Sequence, residues 1–249
     1  MTRETRSKSA LIVGLFALAI ALGSPQENSL CAQEPSVSRA AGKVAGKVRL
    51  EGGFKNPLPF KVFKSRDFCG SEVPDEGLLV GPDSGVRNVV IVIAGVQNPK
   101  TQTRSSNFVL DNRNCAFVPR VQVVPVGSEL SLLNSDPILH DAHARMGQET
   151  LFNVGLPSWR QVKKRLTREG IVKIECDVLH TWQSAYIVVT SSPYSAVTDK
   201  SGEFVIEQVP AGRYDIEFWH EKLGKQRRKI LVQEGQTSKV EAVFSCASC

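Results

Sequence analysis

The sequence lacks the short motifs that mark the common hydrolases and nucleotide-binding enzymes. No glycine-rich phosphate loop, HExxH or GxSxG occurs in its 249 residues. These motifs supply a phosphate cradle, a zinc-bound water and an exposed serine nucleophile, respectively. Cys176 with His140 or His180 could form a thiol nucleophile and base, but no motif that would orient the histidine or bind an oxyanion is recognisable. We therefore expect that the protein is not an enzyme.

Long hydrophobic runs are also scarce. The longest is Ala10 to Leu22, which follows three basic residues within the first eight positions. Because this run is too short to span a bilayer comfortably, it fits a secretory signal. Small residues permit cleavage after Gly23 or after Ala32, so residues 1–32 are the expected signal region and 33–41 a flexible tether. We expect a secreted protein of the periplasm or cell envelope.

Membrane contact is expected only through the cleaved signal. A lipid anchor on Cys31 is the less favoured alternative, because Asn28-Ser29-Leu30 lacks the small residue that normally precedes a lipidated cysteine. The formal net charge of +6 is too mild to predict nucleic-acid binding. Basic residues cluster in 160–168 and 222–229; we interpret them as solvated faces, with a docking patch for an acidic partner protein as the alternative.

The cysteine count is informative because export implies an oxidising compartment. The chain has six cysteines, and five remain if Cys31 leaves with the signal. An odd number leaves one thiol free or bound to something. The economical pairing joins Cys69 to Cys115 and Cys246 to Cys249, and it leaves Cys176 unpaired. Counting alone does not prove this connectivity, and free thiols remain the alternative for Cys69 and Cys115.

Short apolar segments separated by Gly, Pro, Asn and Asp predict an all-β fold of sandwiches or barrels. Only residues 159–166 look helical, and they predict one turn at most. The composition changes at Ser191, so we predict a first domain over residues 42–190 and a smaller β-sandwich over 191–249. The predicted strands lie at residues 42–50, 61–63, 88–94, 121–124, 129–133, 171–175, 186–190, 203–206, 229–232 and 239–244, with one more after the Pro210-Ala211-Gly212 turn.

Two separated segments offer one thiolate and two imidazoles. Asn134 to His140 ends in a histidine, and Glu175 to Gln183 contains Cys176, His180 and Gln183. A His2Cys trigonal set with a weak axial donor is typical of electron-transfer copper centres, and Gln is an accepted axial donor. The sequence therefore predicts one copper ion bound by His140, Cys176 and His180, with Gln183 as axial ligand.

Other donors are weaker candidates. His143 is interpreted as a support for the site or as a solvent-facing residue, with ligation as the alternative. Met146 lies far from the ligand loop in sequence, which favours a packing role. His220 lies on a predicted strand and is interpreted as structural. The terminal Cys246 and Cys249 have no second pair that would complete a tetrahedral zinc site.

Five segments in fixed order carry a resemblance to a known family. They are Cys69-Gly70, Cys115 to Pro119, Asn134 to His140, Cys176 to Gln183 and Trp219 to Glu221. In this order they resemble the cupredoxins, and more closely the exported bacterial proteins called plastocyanin-like or methylamine-utilisation proteins. The resemblance covers about Gly42 to Gly224. It implies a Greek-key β-sandwich, a copper cofactor and single-electron transfer with a redox partner protein.

The C-terminal part, Ala196 to Phe244, is similar to carboxypeptidase regulatory-like and prealbumin-like β-sandwiches, including a rhamnogalacturonan-lyase-type module. Turn and strand residues carry this similarity, namely Thr198 to Phe204 and Val209 to Tyr214. They imply a fold and no chemistry. The alternative function is accordingly a cell-envelope binding module with a degenerate copper site, whose partner is a carbohydrate or a protein.

Three residues depart from the pattern of the resembling proteins. Gln183 stands where they usually carry Met, and an amide oxygen is a harder donor that should favour Cu(II) and lower the reduction potential. Asp141 follows His140 where Asn is typical. Arg120 follows Pro119 where His is common.

Overall fold

The computed structural model describes residues 41–96 and 107–246, and β-strands make up most of this part of the chain. The all-β prediction is confirmed. The predicted signal region, residues 1–32, and almost all of the predicted tether lie outside the described residues. Among the described residues, no helix has both the length and the apolar character needed to cross a bilayer.

The strands, in chain order, are β1 (Gly42–Glu51), β2 (Phe60–Lys61), β3 (Glu72–Val73), β4 (Val90–Ala94), β5 (Phe108–Arg113), β6 (Ala116–Val118), β7 (Val121–Pro125), β8 (Glu129–Asn134), β9 (His140–Met146), β10 (Glu149–Leu156), β11 (Gln161–Arg165), β12 (Gly170–Glu175), β13 (Ser184–Thr190), β14 (Ser195–Val197), β15 (Glu203–Val209), β16 (Gly212–His220), β17 (Gly224–Val232) and β18 (Thr237–Ser245). A one-turn helix, α1, spans Arg66–Cys69, and a 3-10 turn spans Pro82–Ser84.

The first sandwich packs a five-stranded sheet, β10-β9-β12-β13-β7, against a four-stranded sheet, β11-β8-β5-β6. One hydrophobic core lies between the two sheets. Every strand of these sheets except β11 contributes buried residues to it, and half-buried Val162 of β11 packs against it. Both sheets join strands that are distant in sequence, with β7 parallel to β13 and β5 parallel to β8. Such connections are expected of a Greek-key sandwich rather than a meander.

The second sandwich draws strands from both ends of the chain. Its sheets are β15-β1-β18 and β14-β4-β16-β17, and they share a second hydrophobic core. Strands β1 and β4, which the sequence assigns to a domain over residues 42–190, therefore belong to the sheets of the C-terminal strands. The boundary predicted at residue 190 does not separate the two sandwiches. Alternating apolar residues predict a strand, but they do not say which sheet the strand joins.

The helical turn predicted in residues 159–166 is wrong, because residues 161–165 form β11, an antiparallel partner of β8. Its side chains alternate: Gln161, Lys163 and Arg165 are exposed, whereas Val162 is half-buried against the first core. Pairing with a neighbouring strand outweighs the weak helical preference of this basic segment.

A small structure, which we call the cap (Phe60–Val73), is added to the first sandwich. It consists of the β2–β3 pair and α1 between them. The predicted disulfide is present: Cys69 of α1 is bonded to Cys115, in the turn between β5 and β6, across 46 positions of sequence. Buried Val62 of the cap packs in a third apolar cluster with Cys115 and Trp182. The disulfide and this cluster bind the cap to one end of the first sandwich.

A buried ion pair joins the two sandwiches. Arg120, before β7, donates from Nε and Nη2 to the two carboxylate oxygens of Glu221 at 2.8 and 2.9 Å, and it also donates to the Ser184 carbonyl at 3.2 Å. The Glu221 side chain, which follows β16, is only 4% exposed. Burial and the neighbouring Glu221 carboxylate raise the pKa of Tyr186 to about 12, and its ring packs against Trp219 at 5.4 Å.

Replacing Arg120 by Met should lower the free energy of unfolding by about 3–5 kcal/mol, because the buried Glu221 carboxylate would lose its cation. The double variant Arg120→Met, Glu221→Gln should recover much of this loss. Urea denaturation followed by tryptophan fluorescence measures both. Arg168→Met is the matched control: its pair with Glu149 is exposed on both sides, so the expected change is about 0–1 kcal/mol. Equal losses in the two single variants would contradict the role of Arg120 in this joint.

Candidate metal site

The register of three neighbouring strands brings the predicted ligands to one end of the five-stranded sheet. Glu175 of β12 lies opposite His143 of β9 and opposite Ser184 of β13. Since β9 and β12 are antiparallel, His140 at the start of β9 lies at the end where Cys176 leaves β12. The loop from Cys176 to Gln183 then returns to β13 at this same end.

Three donor atoms converge there. His140 Nδ1 lies 3.0 Å from His180 Nδ1, and Cys176 Sγ lies 3.9 and 3.6 Å from these two nitrogens. All three side chains are buried, and Cys176 is the free cysteine among the described residues. Together they form a group that could hold a metal ion.

A buried carboxylate sets the proton position on His140. Asp136 Oδ2 lies 2.9 Å from His140 Nε2, and the same carboxylate accepts the backbone N–H groups of Asn114 and Cys115 at 2.7 and 2.9 Å. An ionised carboxylate only accepts hydrogen bonds, so His140 Nε2 carries the proton and Nδ1 presents its lone pair to the site. Asp136 lies within the segment from Asn134 to His140. Its position four residues before His140 is the signal in the sequence that could have predicted this contact.

The donor set fits a metal ion better than it fits a hydrogen-bonded cluster. A first-row ion bound about 2.0–2.3 Å from nitrogen and sulfur holds such donors about 3–4 Å apart. The three separations in the site lie in this range. At most one proton can be shared between the two Nδ1 atoms, while the thiol is a weak donor. Converging lone pairs in a buried place therefore suit a cation.

Gln183 lies beside these donors. Its Oε1 is 3.1 Å from His140 Nδ1, and its buried Nε2 has no hydrogen-bond partner in the described part of the chain. The amide therefore lies within reach of an ion held by His140 Nδ1, and its oxygen is a donor of the kind predicted for the fourth position.

The thiol is steadied by the backbone of β9. Asp141 N donates to Cys176 Sγ at 3.4 Å, and Asp141 Oδ1 accepts the backbone N–H of Asp177 at 2.5 Å. Asp141 thus connects the strand of His140 to both residues at the start of the loop. A carboxylate performs this task here, where Asn is typical of the resembling proteins.

Burial shifts the pKa values of the donors away from their charged forms. It raises the pKa of the Cys176 thiol to about 11 and lowers that of His180 to about 4, with the His140 imidazole contributing to the latter. It also lowers the pKa of His140, against the opposing effect of Asp136. In the metal-free protein at neutral pH, the site therefore holds two neutral imidazoles and a protonated thiol.

The cap and a tryptophan cover His180. Ser65 Oγ of the cap lies 3.2 Å from His180 Nε2. The Trp182 ring lies 5.1 Å from the His180 ring, and its Nε1 donates to the Cys115 carbonyl at 2.9 Å. Among the apolar residues in and just before the ligand loop, Ile174 and Trp182 are buried. Leu179, whose backbone is left-handed at φ 68°, is 65% exposed.

The weaker candidates lie elsewhere. His143 binds Asp177 and Thr150 and does not reach the three converging donors. Met146, at the far end of β9, packs near Gly170 and the first core. His220 is buried, and its Nδ1 accepts the backbone N–H of Lys222 at 3.2 Å. Cys246 is disulfide-bonded, while its predicted partner Cys249 lies outside the described residues.

Buried histidines predict the pH dependence of the metal-free protein. Burial lowers the pKa values of His180 and His220 to about 4, and that of His140 is also lowered. Unfolded histidines titrate near 6.5, so below that pH the unfolded chain binds more protons than the folded one. The free energy of unfolding should be largest above about pH 6.5 and should fall toward pH 4. Burial raises the pKa of Asp141, which has the opposite effect on the pH dependence of stability. The three histidines outweigh this single carboxyl group.

Urea denaturation from about pH 7.5 to about pH 4.5 measures this loss, which should be on the order of a few kcal/mol. His220→Gln removes one of the three titrating groups without touching the donor cluster, and its profile should be shallower. A stability that stays flat or rises as the pH falls would contradict the burial of neutral histidines.

Comparison with known proteins gives one family match and several similar folds. Residues 181–245 match the carboxypeptidase regulatory-like domain family. This range ends with β18, but it starts with β13, which lies in the first sandwich, and it omits β1 and β4 of the second. No curated protein sequence matches the chain.

Solved structures of copper proteins are similar to part of the chain. A copper-containing nitrite reductase from Thermus scotoductus is 21% identical over 34% of this chain and 22% of its own length, with a TM-score of 0.32. A purple cupredoxin from Nitrosopumilus maritimus is 21% identical over 34% of this chain and 100% of its own, at 0.31. A reduced amicyanin variant is 16% identical over 40% of this chain and 98% of its own, at 0.32. The chain thus spans about a fifth of the reductase's length. Because these TM-scores are low, a function for this chain has to be argued from its donor residues.

Proposed function

We propose that this protein is an exported carrier of single electrons that binds one copper ion through His140, Cys176 and His180, with Gln183 as the fourth ligand. The observation that carries the proposal is the convergence of two imidazole Nδ1 atoms and one free thiol in a buried site. A thiolate with two imidazoles is the set that electron-transfer copper centres use.

The surroundings of the donors support electron transfer rather than catalysis. Catalytic metal sites keep an open position for water or substrate. Here all three donors and Gln183 are buried, and the cap lies over His180. Copper, when bound, would supply a one-electron couple. Strand β9 and the short loop between β12 and β13 would hold the ligands so that their arrangement changes little with oxidation state.

The chain has a defined proton change on metal binding. At neutral pH the two histidines are already in the neutral form that a metal needs, whereas the thiol, with its pKa near 11, is protonated. The Cys176 proton must therefore leave when the metal binds, so affinity should rise with pH. Asp141 N remains as a hydrogen-bond donor to the sulfur.

Export and partners are part of the same proposal. The apolar run at the N-terminus and the Cys69–Cys115 disulfide support an oxidising location outside the cytoplasm. A carrier of single electrons needs a donor and an acceptor, so we propose a redox partner protein. A carbohydrate or envelope partner for the second sandwich is the competing function, which would leave the donor cluster without copper.

Adding Cu(II) to the purified protein should give an intense visible band from thiolate-to-copper charge transfer, together with a Cu(II) EPR signal. Cys176→Ser should lose the band, because it removes the thiolate. His220→Gln, which changes a buried histidine outside the cluster, should keep it. Absence of the band in the unaltered protein would contradict copper binding at this site, and a band that survives Cys176→Ser would move the metal to other ligands.

Gln183→Met should raise the reduction potential of the copper-loaded protein, because a thioether is a softer donor than an amide oxygen and favours Cu(I). A redox titration monitored at the charge-transfer band measures the potential. Gln122→Met is the matched control: this half-buried glutamine of β7 binds the Val109 carbonyl, outside the site. A shift of equal size in both variants, or none in Gln183→Met, would remove Gln183 from the ligand set.

A further inference from the structure

The residue after Cys176 is held by groups that take no part in the donor cluster. Asp177 donates its backbone N–H to Asp141 Oδ1 at 2.5 Å. Its Oδ2 lies 2.7 Å from His143 Nδ1, and the same oxygen accepts from Asn153 Nδ2 at 3.2 Å. The start of the ligand loop is therefore fixed to β9 through two residues and to β10 through a third.

Both ring nitrogens of His143 have hydrogen-bond partners. Nδ1 faces the Asp177 carboxylate, and Nε2 lies 2.9 Å from Thr150 Oγ1 of β10. The Arg145 guanidinium approaches both ring nitrogens to 3.1 Å, so it lies against the imidazole. His143 is buried, and its ring cannot turn without breaking several of these contacts.

The contact between His143 and Asp177 links Cys176 to β9, the strand that begins with the other ligand, His140. His140 begins β9, and His143 is three residues further along the same strand. Cys176 is the residue immediately before Asp177. A contact between His143 and Asp177 therefore sets where the sulfur lies relative to the His140 ring, without touching either donor atom.

We propose that His143 and Asp177 form a clamp that holds the Cys176 end of the ligand loop against β9, both before and after metal binding. His143 is a positioning residue in this scheme. The consequence for a bound ion rests on the proposed copper function, whereas the consequence for the metal-free loop does not.

The metal-free protein tests the clamp directly. His143→Leu should increase amide hydrogen exchange in residues 176–183 by about tenfold, the effect of losing one hydrogen bond to a charged group. Thr150→Val is the matched control: it removes the hydroxyl beside Nε2 and leaves the contact with Asp177, so exchange in this loop should change little. Unchanged exchange in His143→Leu would overturn the clamp.

Asp177→Ala gives an independent reading if His143→Leu does not fold. The Asp177 side chain is 47% exposed, so its truncation leaves no cavity in the core. It should speed exchange in the same loop as His143→Leu does. Protection equal to that of the unaltered protein in Asp177→Ala would overturn the proposal.

The copper-loaded protein gives the second test. In His143→Leu, the charge-transfer band, the Cu(II) EPR hyperfine splitting and the reduction potential should all shift, because the sulfur moves relative to the histidines. His143→Gln, whose amide can still donate to Asp177, should return these values toward those of the unaltered protein. Loss of stability alone would not produce this recovery.

The two proposals fail in different ways. A protein that shows no thiolate band but does show faster exchange in His143→Leu would overturn the copper function and keep the clamp. A protein that binds copper with a thiolate band, and whose spectrum and exchange are the same in His143→Leu, would overturn the clamp and keep the copper function.

Discussion

The antiparallel pairing of β9 with β12 is the constraint on which the candidate site depends. It places Glu175 opposite His143, so that His140 and Cys176 reach the same end of the sheet. Side chains alternate between the two faces of a strand, and a slip of one residue would therefore turn His140 or Cys176 away from the other. The buried alanines Ala142 and Ala144 of β9 pack in the core and resist such a slip.

Three aspartates then convert this register into a defined arrangement of donors. Asp136 selects the proton position of His140, Asp141 reaches the sulfur and the following backbone, and Asp177 binds His143. Two of the three are buried, which is costly unless a carboxylate is hydrogen-bonded. Each accepts at least one N–H group, which offsets this cost. The three carboxylates thereby connect the donor residues to the surrounding backbone and side chains.

The second sandwich and the cap are both attached to the first sandwich, which holds the site. Arg120 carries its charge into the joint and is neutralised by Glu221 of the other sandwich, which ties the two β-structures together. The cap, held by its disulfide, brings Ser65 to the outer nitrogen of His180. The cap therefore covers the donor cluster on the side of His180.

Much of the site could be predicted from the sequence. The pattern of apolar and turn residues predicted many of the strands, including β12 and β13 on either side of the ligand loop, but not β9, which begins with His140. The cysteine count left Cys176 unpaired, and the donor types of His140, Cys176 and His180 pointed to copper. These features depend on residue chemistry and local spacing, which a linear sequence contains. Only the tertiary structure decided that β1 and β4 join the C-terminal strands, that 161–165 is a strand, and that Asp136, Ser65 and His143 support the donors. Apart from the contact of Asp136 with His140, four residues away, these depend on hydrogen bonds between residues far apart in the chain, and neither alternation nor spacing specifies the partner in such a bond.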